Sequence, residues 1–269
     1  MSIEKVERPL AVITGASSGL GREFAGQLAA DGYDLLLVAR RGNLLEAIKS
    51  EIELRHGVRV EVLVCDLSQA DELRRLELRI EGERLLEFMV NNAGFGFSGT
   101  FPDVDSELEE SMIRVHVIAL MRLSRAALVP MCKRKRGFLI NLSSVAAYLS
   151  GANSAEYVAT KSYVLSFSKC LQCDVRKNGV RVQALCPGFT HTGFHDTEAM
   201  KGFEKNKTPS IAWLKADYVV RTSLNSIRKT KRVVCIPSLR YKLILMLINN
   251  PIGNKICELL SNKRITKKN

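Results

Sequence analysis

Within the segment AEYVATKSY, residues 155–163, Tyr157 and Lys161 stand four positions apart. On a helix that spacing brings the phenol and the ammonium onto one face. Left alone, both groups stay protonated near neutrality, with pKa values of about 10 and 10.4. The pair therefore has two readings: an ordinary solvated helix face, or a phenol that the neighbouring cation makes easier to ionise. A second cluster, TGASSGLG from Thr14 to Gly21, has glycines at 15, 19 and 21. Glycines there permit a tight turn and close backbone approach. A helix opening at that point offers unpaired N–H groups and a positive dipole end to a pyrophosphate. A tight turn that binds nothing is the plainer alternative, but the position directly after an apolar run favours a ligand.

These residues need a frame, and the surrounding pattern supplies one. LAVITG reads as a strand, GREFAGQLAADG as a helix closed by Gly32, and YDLLLVAR as a second strand. GNLLEAIKSEIELRHG reads as a helix and VRVEVLVCDL as a strand. After a further helical stretch come LEFMVNNAG as a strand and a long helix from about Ser106 to Arg136. GFLINLSS, the helix EYVATKSYVLSFSKCLQCDVRKNG and VRVQALCPG follow, and RVVCIP is a short last strand. Strands apolar on both faces belong in a parallel sheet covered by helices on each side. The alternation predicts an α/β, Rossmann-like, doubly wound sheet of about seven strands in a single domain, 1–269. Residues 189–231 read as an irregular loop feeding a helix, and 238–269 as a basic tail interrupted by Pro251 and Gly253.

Composition narrows the function classes. The chain is 46% hydrophobic and 25% charged, ordinary for a globular protein with a sizeable core. No run of about 18 apolar residues is evident, so no spanning helix is expected. The N-terminus lacks a signal-peptide pattern, and the seven cysteines suit a reducing compartment. A cytoplasmic protein is expected. Cys170 and Cys173 continue a helix and read as packing residues. His191 and His195 lack a metal-binding constellation, so no metal is expected. Residues 1–199 hold 24 Lys+Arg against 25 Asp+Glu, whereas 200–269 hold 16 against 3. That basic region is either a solvated surface or a peripheral contact with an anionic membrane; nucleic acid is not the expected partner.

The G-x-x-x-G-x-G spacing, with NNAG at 91–94, SS at 143–144, YVATK at 157–161 and PGFTHT at 187–192, resembles the short-chain dehydrogenase/reductase family over almost the whole chain. The resemblance implies an oxidoreductase in which Tyr157 exchanges a proton with a carbonyl or alcohol oxygen. Lys161 favours the phenolate and bonds the nicotinamide ribose, and Ser144 bonds the substrate oxygen, with Ser143 as the runner-up. It also implies cofactor contacts from Gly15, Ser17, Ser18, Gly19, Leu20 and Gly21, from Asp66 and Leu67 at the adenine, and from Asn92, Ala93 and Gly94 near the adenine-side ribose. Asn91 is expected to brace the sheet. Pro187, Gly188, Thr190 and Thr192 would meet the nicotinamide carboxamide.

The second strand addresses cofactor choice. Where an NAD-preferring protein ends this strand in an acid, LLLVARR has Ala39 followed by Arg40 and Arg41. Guanidinium groups there suit a 2′-phosphate, so NADP(H) is expected, with Arg40 the main contact. Resemblance to hydroxysteroid dehydrogenases and 3-oxoacyl reductases implies a hydrophobic ketone or secondary alcohol as substrate. The loop 193–215 would cover it, with Phe194, Phe203, Ile211 and Trp213 forming an apolar wall. A homodimer or homotetramer is implied in the same way. One position departs from the pattern: the family commonly has Val-Asn-Val where this chain has Val115-His116-Val117. His116 could preserve the proton relay that the asparagine supports, or be a buried structural histidine. It could also mark a catalytically weak protein that keeps the fold as a nucleotide-binding regulator.

Overall fold

The apolar runs become strands because each can bury both faces. In the computed structural model, described for residues 7–97, 99–149, 154–196, 200 and 208–248, the first half alternates strictly. It runs β1 (Leu10–Thr14), α1 (Gly19–Ala30), β2 (Asp34–Ala39), α2 (Gly42–His56), β3 (Val60–Val64), α3 (Ala70–Glu81) and β4 (Leu86–Asn91). Next come α4 (Ser106–Ile113), a π-helical stretch Arg114–Ala119, α5 (Leu120–Arg134), β5 (Gly137–Leu142), α6 (Ala155–Val175) and β6 (Val180–Leu185). The remainder is β7 (Thr190–His191), β8 (Leu214–Lys215), α7 (Ala216–Lys229), β9 (Val234–Cys235) and α8 (Leu239–Ile248). Phe203, the side chain of His195 and residues 249–269 lie outside the described part.

Seven strands form one sheet in the order β3-β2-β1-β4-β5-β6-β9, with every pairing parallel. This is the Rossmann-like doubly wound sheet expected from the alternation. The order reverses between β1 and β4, which opens a crevice at the carboxyl ends of the strands. The glycine loop after β1, NNAG at the end of β4, Ser143–Ser144 after β5 and PGFT after β6 all emerge at that edge.

Helices cover both faces. On one side α1, α2 and α7 bury Phe24, Leu28, Ile48, Val219 and Leu224 against the sheet. On the other, α3 and α5 bury Leu76, Ile80, Leu123 and Met131. Each such side chain stabilises the fold by about 1.5–3 kcal/mol, so the crevice sits on a rigid support.

Two expectations change. The helix over Ser106–Arg134 is, by length and hydropathy, sufficient to cross a membrane, although the sequence reading expects no such helix. Its apolar residues Met112, Leu123 and Met131 are instead interior side chains. Cys170 and Cys173 are exposed on α6 rather than packed, because the buried stripe of that helix is Thr160, Lys161, Val164, Leu165 and Ser168.

Candidate active site

The glycine loop is built for close approach. Gly15 and Gly19 have φ of +66° and +56°, in the left-handed region that side chains disfavour. A Cβ on Gly15 would lie 2.8 Å from Asn92 Nδ2, and one on Gly19 would lie 3.2 Å from Thr192 Cβ. The loop therefore faces both the β4 end and the β6 loop across the crevice. Ser18 is the N-cap of α1 but makes no side-chain capping bond, so the first-turn amides of Gly19, Leu20 and Gly21 are not capped from the protein side. The Leu20 side chain itself is in the core. A turn at a helix N-terminus, with close approach at Gly15, Gly19 and Gly21, fits a dinucleotide pyrophosphate.

Asn92 holds this loop in shape: its side-chain amide donates to the carbonyls of Thr14 (2.9 Å) and Gly15 (3.3 Å). The Thr14 hydroxyl, a contact the sequence did not reveal, accepts from the amides of Asn92 and Ala93, both at 3.0 Å. Asn91 donates to Ser124 Oγ and Asn141 Oδ1, tying β4 to β5 and α5 as a brace.

Just after β3, the Asp66 carboxylate accepts from the amide and hydroxyl of Ser68. Its other oxygen lies 3.9 Å from the Arg40 guanidinium. Leu67 turns its side chain into the core, leaving only its backbone toward the crevice. Arg41 donates to the hydroxyls of Ser17 and Ser18, both at 2.8 Å. The two guanidiniums thus bracket the space beyond β2, Arg41 on the glycine loop and Arg40 on Asp66.

Tyr157 and Lys161 lie on α6, Lys161 buried and Tyr157 half-buried in the crevice. The Lys161 ammonium donates to the Leu142 carbonyl (3.1 Å) and stands 5.5 Å from the Tyr157 ring centre. Burial lowers the Lys161 pKa to about 8. Burial raises the Tyr157 phenol to about 12, against which a hydrogen bond with Ser144 acts to lower it. In the protein alone the phenol is thus favoured in its protonated form. The Ser144 hydroxyl also accepts from the Ala146 amide (3.1 Å). Ser143 turns away and donates to the Lys161 carbonyl (2.7 Å), so of the two serines only Ser144 meets the phenol.

His116 reaches this centre through the π-helical stretch, an irregularity frequent at functional sites. Its Nε2 accepts from the Phe95 amide (3.1 Å), and Nδ1 lies 3.1 Å from Thr160 Oγ1. A Cβ on Gly94 would stand 2.7 Å from Nε2, so glycine is required there. On the open side, the Phe194 ring is 6.0 Å from that of Tyr157, and Phe194 and Met200 crowd Gly96, forming an apolar wall. The Trp213 ring packs on Phe189 and stacks on His191, and Ile211 is exposed.

The β6 loop closes the site. The Thr190 hydroxyl donates to the Gly188 carbonyl (2.9 Å), and Thr192 faces Gly19. Gly188 lies under the Tyr241 ring from α8. The Tyr241 hydroxyl accepts from the Phe189 amide (3.1 Å) and donates to the Ala212 carbonyl (2.8 Å). Pro187 shares in the loop through its carbonyl, which accepts from the Val145 amide (3.0 Å). Among the described residues no cluster of His, Cys, Asp and Glu could hold a metal ion.

Comparisons with known proteins agree with this arrangement. A family model described as short chain dehydrogenase matches residues 9–201. A very-long-chain 3-oxoacyl-CoA reductase from Laccaria bicolor is 34% identical over 220 residues, covering 81% of this chain and 62% of that protein. The chain thus spans about three fifths of the length of that curated relative. Among solved structures, a short-chain dehydrogenase from Sphingobium yanoikuyae in complex with NADPH superposes with a TM-score of 0.81 at 31% identity, covering 88% of this chain and 91% of that one. The bulky-bulky ketone specific alcohol dehydrogenase from Comamonas testosteroni gives 0.76 at 25% identity, with coverage of 97% and 94%.

Proposed function

The chain belongs to the short-chain dehydrogenase family, and on that premise we propose that it is an NADP(H)-dependent reductase of hydrophobic ketones, reversible with the matching secondary alcohols. The observation that carries this reading is the convergence of Ser144, Tyr157 and Lys161 between an amide-lined glycine loop and the apolar wall of Phe194 and Met200. A bound nicotinamide dinucleotide would supply or accept the hydride.

The protein's own groups handle the proton. With its pKa raised to about 12, Tyr157 is a protonated acid at neutral pH, suited to give a proton to a carbonyl oxygen as negative charge develops there. Ser144, bonded to the same phenol, orients it and supplies a second hydroxyl toward that oxygen. Lys161 lies close enough to replenish charge at the phenol and to bond a ribose hydroxyl. Arg40 and Arg41 would receive a 2′-phosphate, with Ser17 and Ser18 holding Arg41 in place; the NADPH complex of the Sphingobium relative supports this choice. The apolar wall, with the 3-oxoacyl and bulky-ketone activities named for relatives, supports an acyl or ring-bearing ketone as substrate. The same reading takes the chain as one domain whose copies pair through α5 and α6, where Met121, Leu128, Val129 and Phe167 line an apolar groove.

The test is a panel of ketones graded by chain length and ring size, with NADPH oxidation followed by absorbance. Turnover should rise with apolar size. A protein that binds NADPH tightly yet turns over none of the panel would overturn the enzymatic reading in favour of a nucleotide-binding regulator.

A further inference from the structure

We infer that α8 is a membrane-docking helix, its outer stripe of Leu239, Leu243 and Met246 seating on an anionic lipid bilayer. These residues follow i, i+4, i+7 spacing and so share one side of the helix. They are 73%, 61% and 77% exposed, while Leu245 on the other side is 5% exposed and Tyr241 is fastened to Phe189 and Ala212. The helix is thus apolar on two sides, and among the described residues the body of the protein covers only one. Arg240 donates to the Ile211 carbonyl at 2.6 Å, and the Ile211 side chain is exposed as well.

The charge selects the occupant. Arg240 and Lys242 flank the stripe, and α8 contains no acidic residue. Residues 249–269 add five Lys+Arg against one Glu. A second copy seated on this face by two-fold symmetry would set these cations against their own counterparts. An anionic headgroup layer complements them, while the stripe enters the acyl boundary. An apolar stripe bordered by long basic side chains is the arrangement that lies in a membrane interface, since those side chains reach out to the headgroups.

Placement gives the docking a use. Tyr241 joins α8 to the loop on Gly188 and to Ala212, so the bilayer would lie beside the segment bordering the substrate side. A ketone dissolved in lipid would meet the protein there. That consequence rests on the proposed reductase function, whereas the docking itself does not.

The test uses the full chain in sedimentation with vesicles of phosphatidylcholine alone and of phosphatidylcholine mixed with phosphatidylserine. The protein should pellet with the anionic vesicles and be partly released by high salt. Leu243→Glu/Met246→Glu should lower partitioning at least about tenfold, with unchanged thermal unfolding and unchanged turnover of a short, water-soluble ketone. Lys242→Glu should weaken binding to the anionic vesicles alone. Failure of the parent to pellet, or pelleting of the double variant like the parent, would overturn the inference. So would loss of a dimer in the double variant without vesicles, which would assign the stripe to a second copy. Loss of ketone turnover with intact vesicle binding would count against the reductase and leave the docking standing.

Discussion

His116 Nδ1 lies 3.1 Å from the Thr160 hydroxyl, and that hydroxyl donates to the Tyr157 carbonyl (2.9 Å). Since Nε2 accepts from the Phe95 amide, the ring proton belongs on Nδ1, and the imidazole is neutral. Burial and the nearby Lys161 charge hold its pKa well below 6.5. His116 therefore ties the β4 loop to α6 with both nitrogens in use, and we propose that it acts as a strut. The facing titratable groups are Tyr157 and Lys161. His116→Asn should lower stability by about 1–3 kcal/mol through lost buried hydrogen bonds, while the pH–rate profile keeps its position. A shifted acidic limb in the variant would show that the ring titrates during turnover.

Tyr157→Phe removes the proton donor but keeps the ring, so the variant should fold and bind NADPH with nearly parental affinity. Its kcat should fall by about 10²–10⁴-fold. Ser144→Ala should cost about 10²-fold in kcat, with a smaller effect on KM. Steady-state kinetics beside cofactor titration separate these outcomes, and turnover surviving in a folded Tyr157→Phe protein would remove the phenol from the chemistry.

Lys161 makes stability depend on alkaline pH. Its pKa is about 8 in the folded chain against 10.5 ordinarily. Below about 8 both states are protonated, and the folded chain bears the full cost of burying the charge. Between about 8 and 10.5 the unfolded chain keeps a proton that the folded chain has released, so stability rises with pH. The full rise is on the order of 3 kcal/mol. Above the ordinary phenol value Tyr157 acts in the opposite direction, since its folded pKa is raised to about 12. Urea unfolding of the parent and of Lys161→Met from neutral to about pH 9.5 checks this. Only the parent should gain stability, and a parallel gain in both would assign the effect to another group.

Cofactor choice is open to a paired measurement. Arg41 is held by Ser17 and Ser18 at 2.8 Å, whereas Arg40 is mostly exposed and 3.9 Å from Asp66. Held in advance, Arg41 loses less freedom on meeting a phosphate. Arg41→Ala should weaken NADPH at least about tenfold, Arg40→Ala by less, and neither should change NADH binding much. Equal losses for both cofactors would mean that the arginines hold the loop and do not read the 2′-phosphate.

The parts of this site that were legible in the sequence are contiguous: a glycine turn, an Asn–Ala–Gly strand end, and a Tyr and a Lys one helical turn apart. Local spacing fixes their geometry, and the strand pattern fixes where they emerge. Contacts between distant segments were not legible. Thr160 gave no signal of its link to His116, 44 positions away, and Tyr241 gave none of its bond to Phe189, 52 positions away. Nor was the packing of Trp213 on Phe189 and on His191 of β7 legible. Spacing also says nothing of the burial that raises the Tyr157 phenol in the protein alone.

Tyr241 couples α8 to the loop at 187–192, and two substitutions grade that coupling. Tyr241→Phe keeps the ring over Gly188 but removes the hydroxyl that joins the Phe189 amide to the Ala212 carbonyl. It should reduce stability by about 1–2 kcal/mol and, with the proposed cofactor contact at 187–192, raise KM for NADPH with little change in kcat. Gly188→Ala is harsher, since its Cβ would land within the Tyr241 ring and push α8 off the loop. Limited proteolysis after α7, read beside the kinetics, should show faster cleavage in Gly188→Ala than in Tyr241→Phe, and slowest in the parent. If kcat collapsed in Tyr241→Phe while KM for NADPH held, the hydroxyl would belong to the reacting centre and not to the loop.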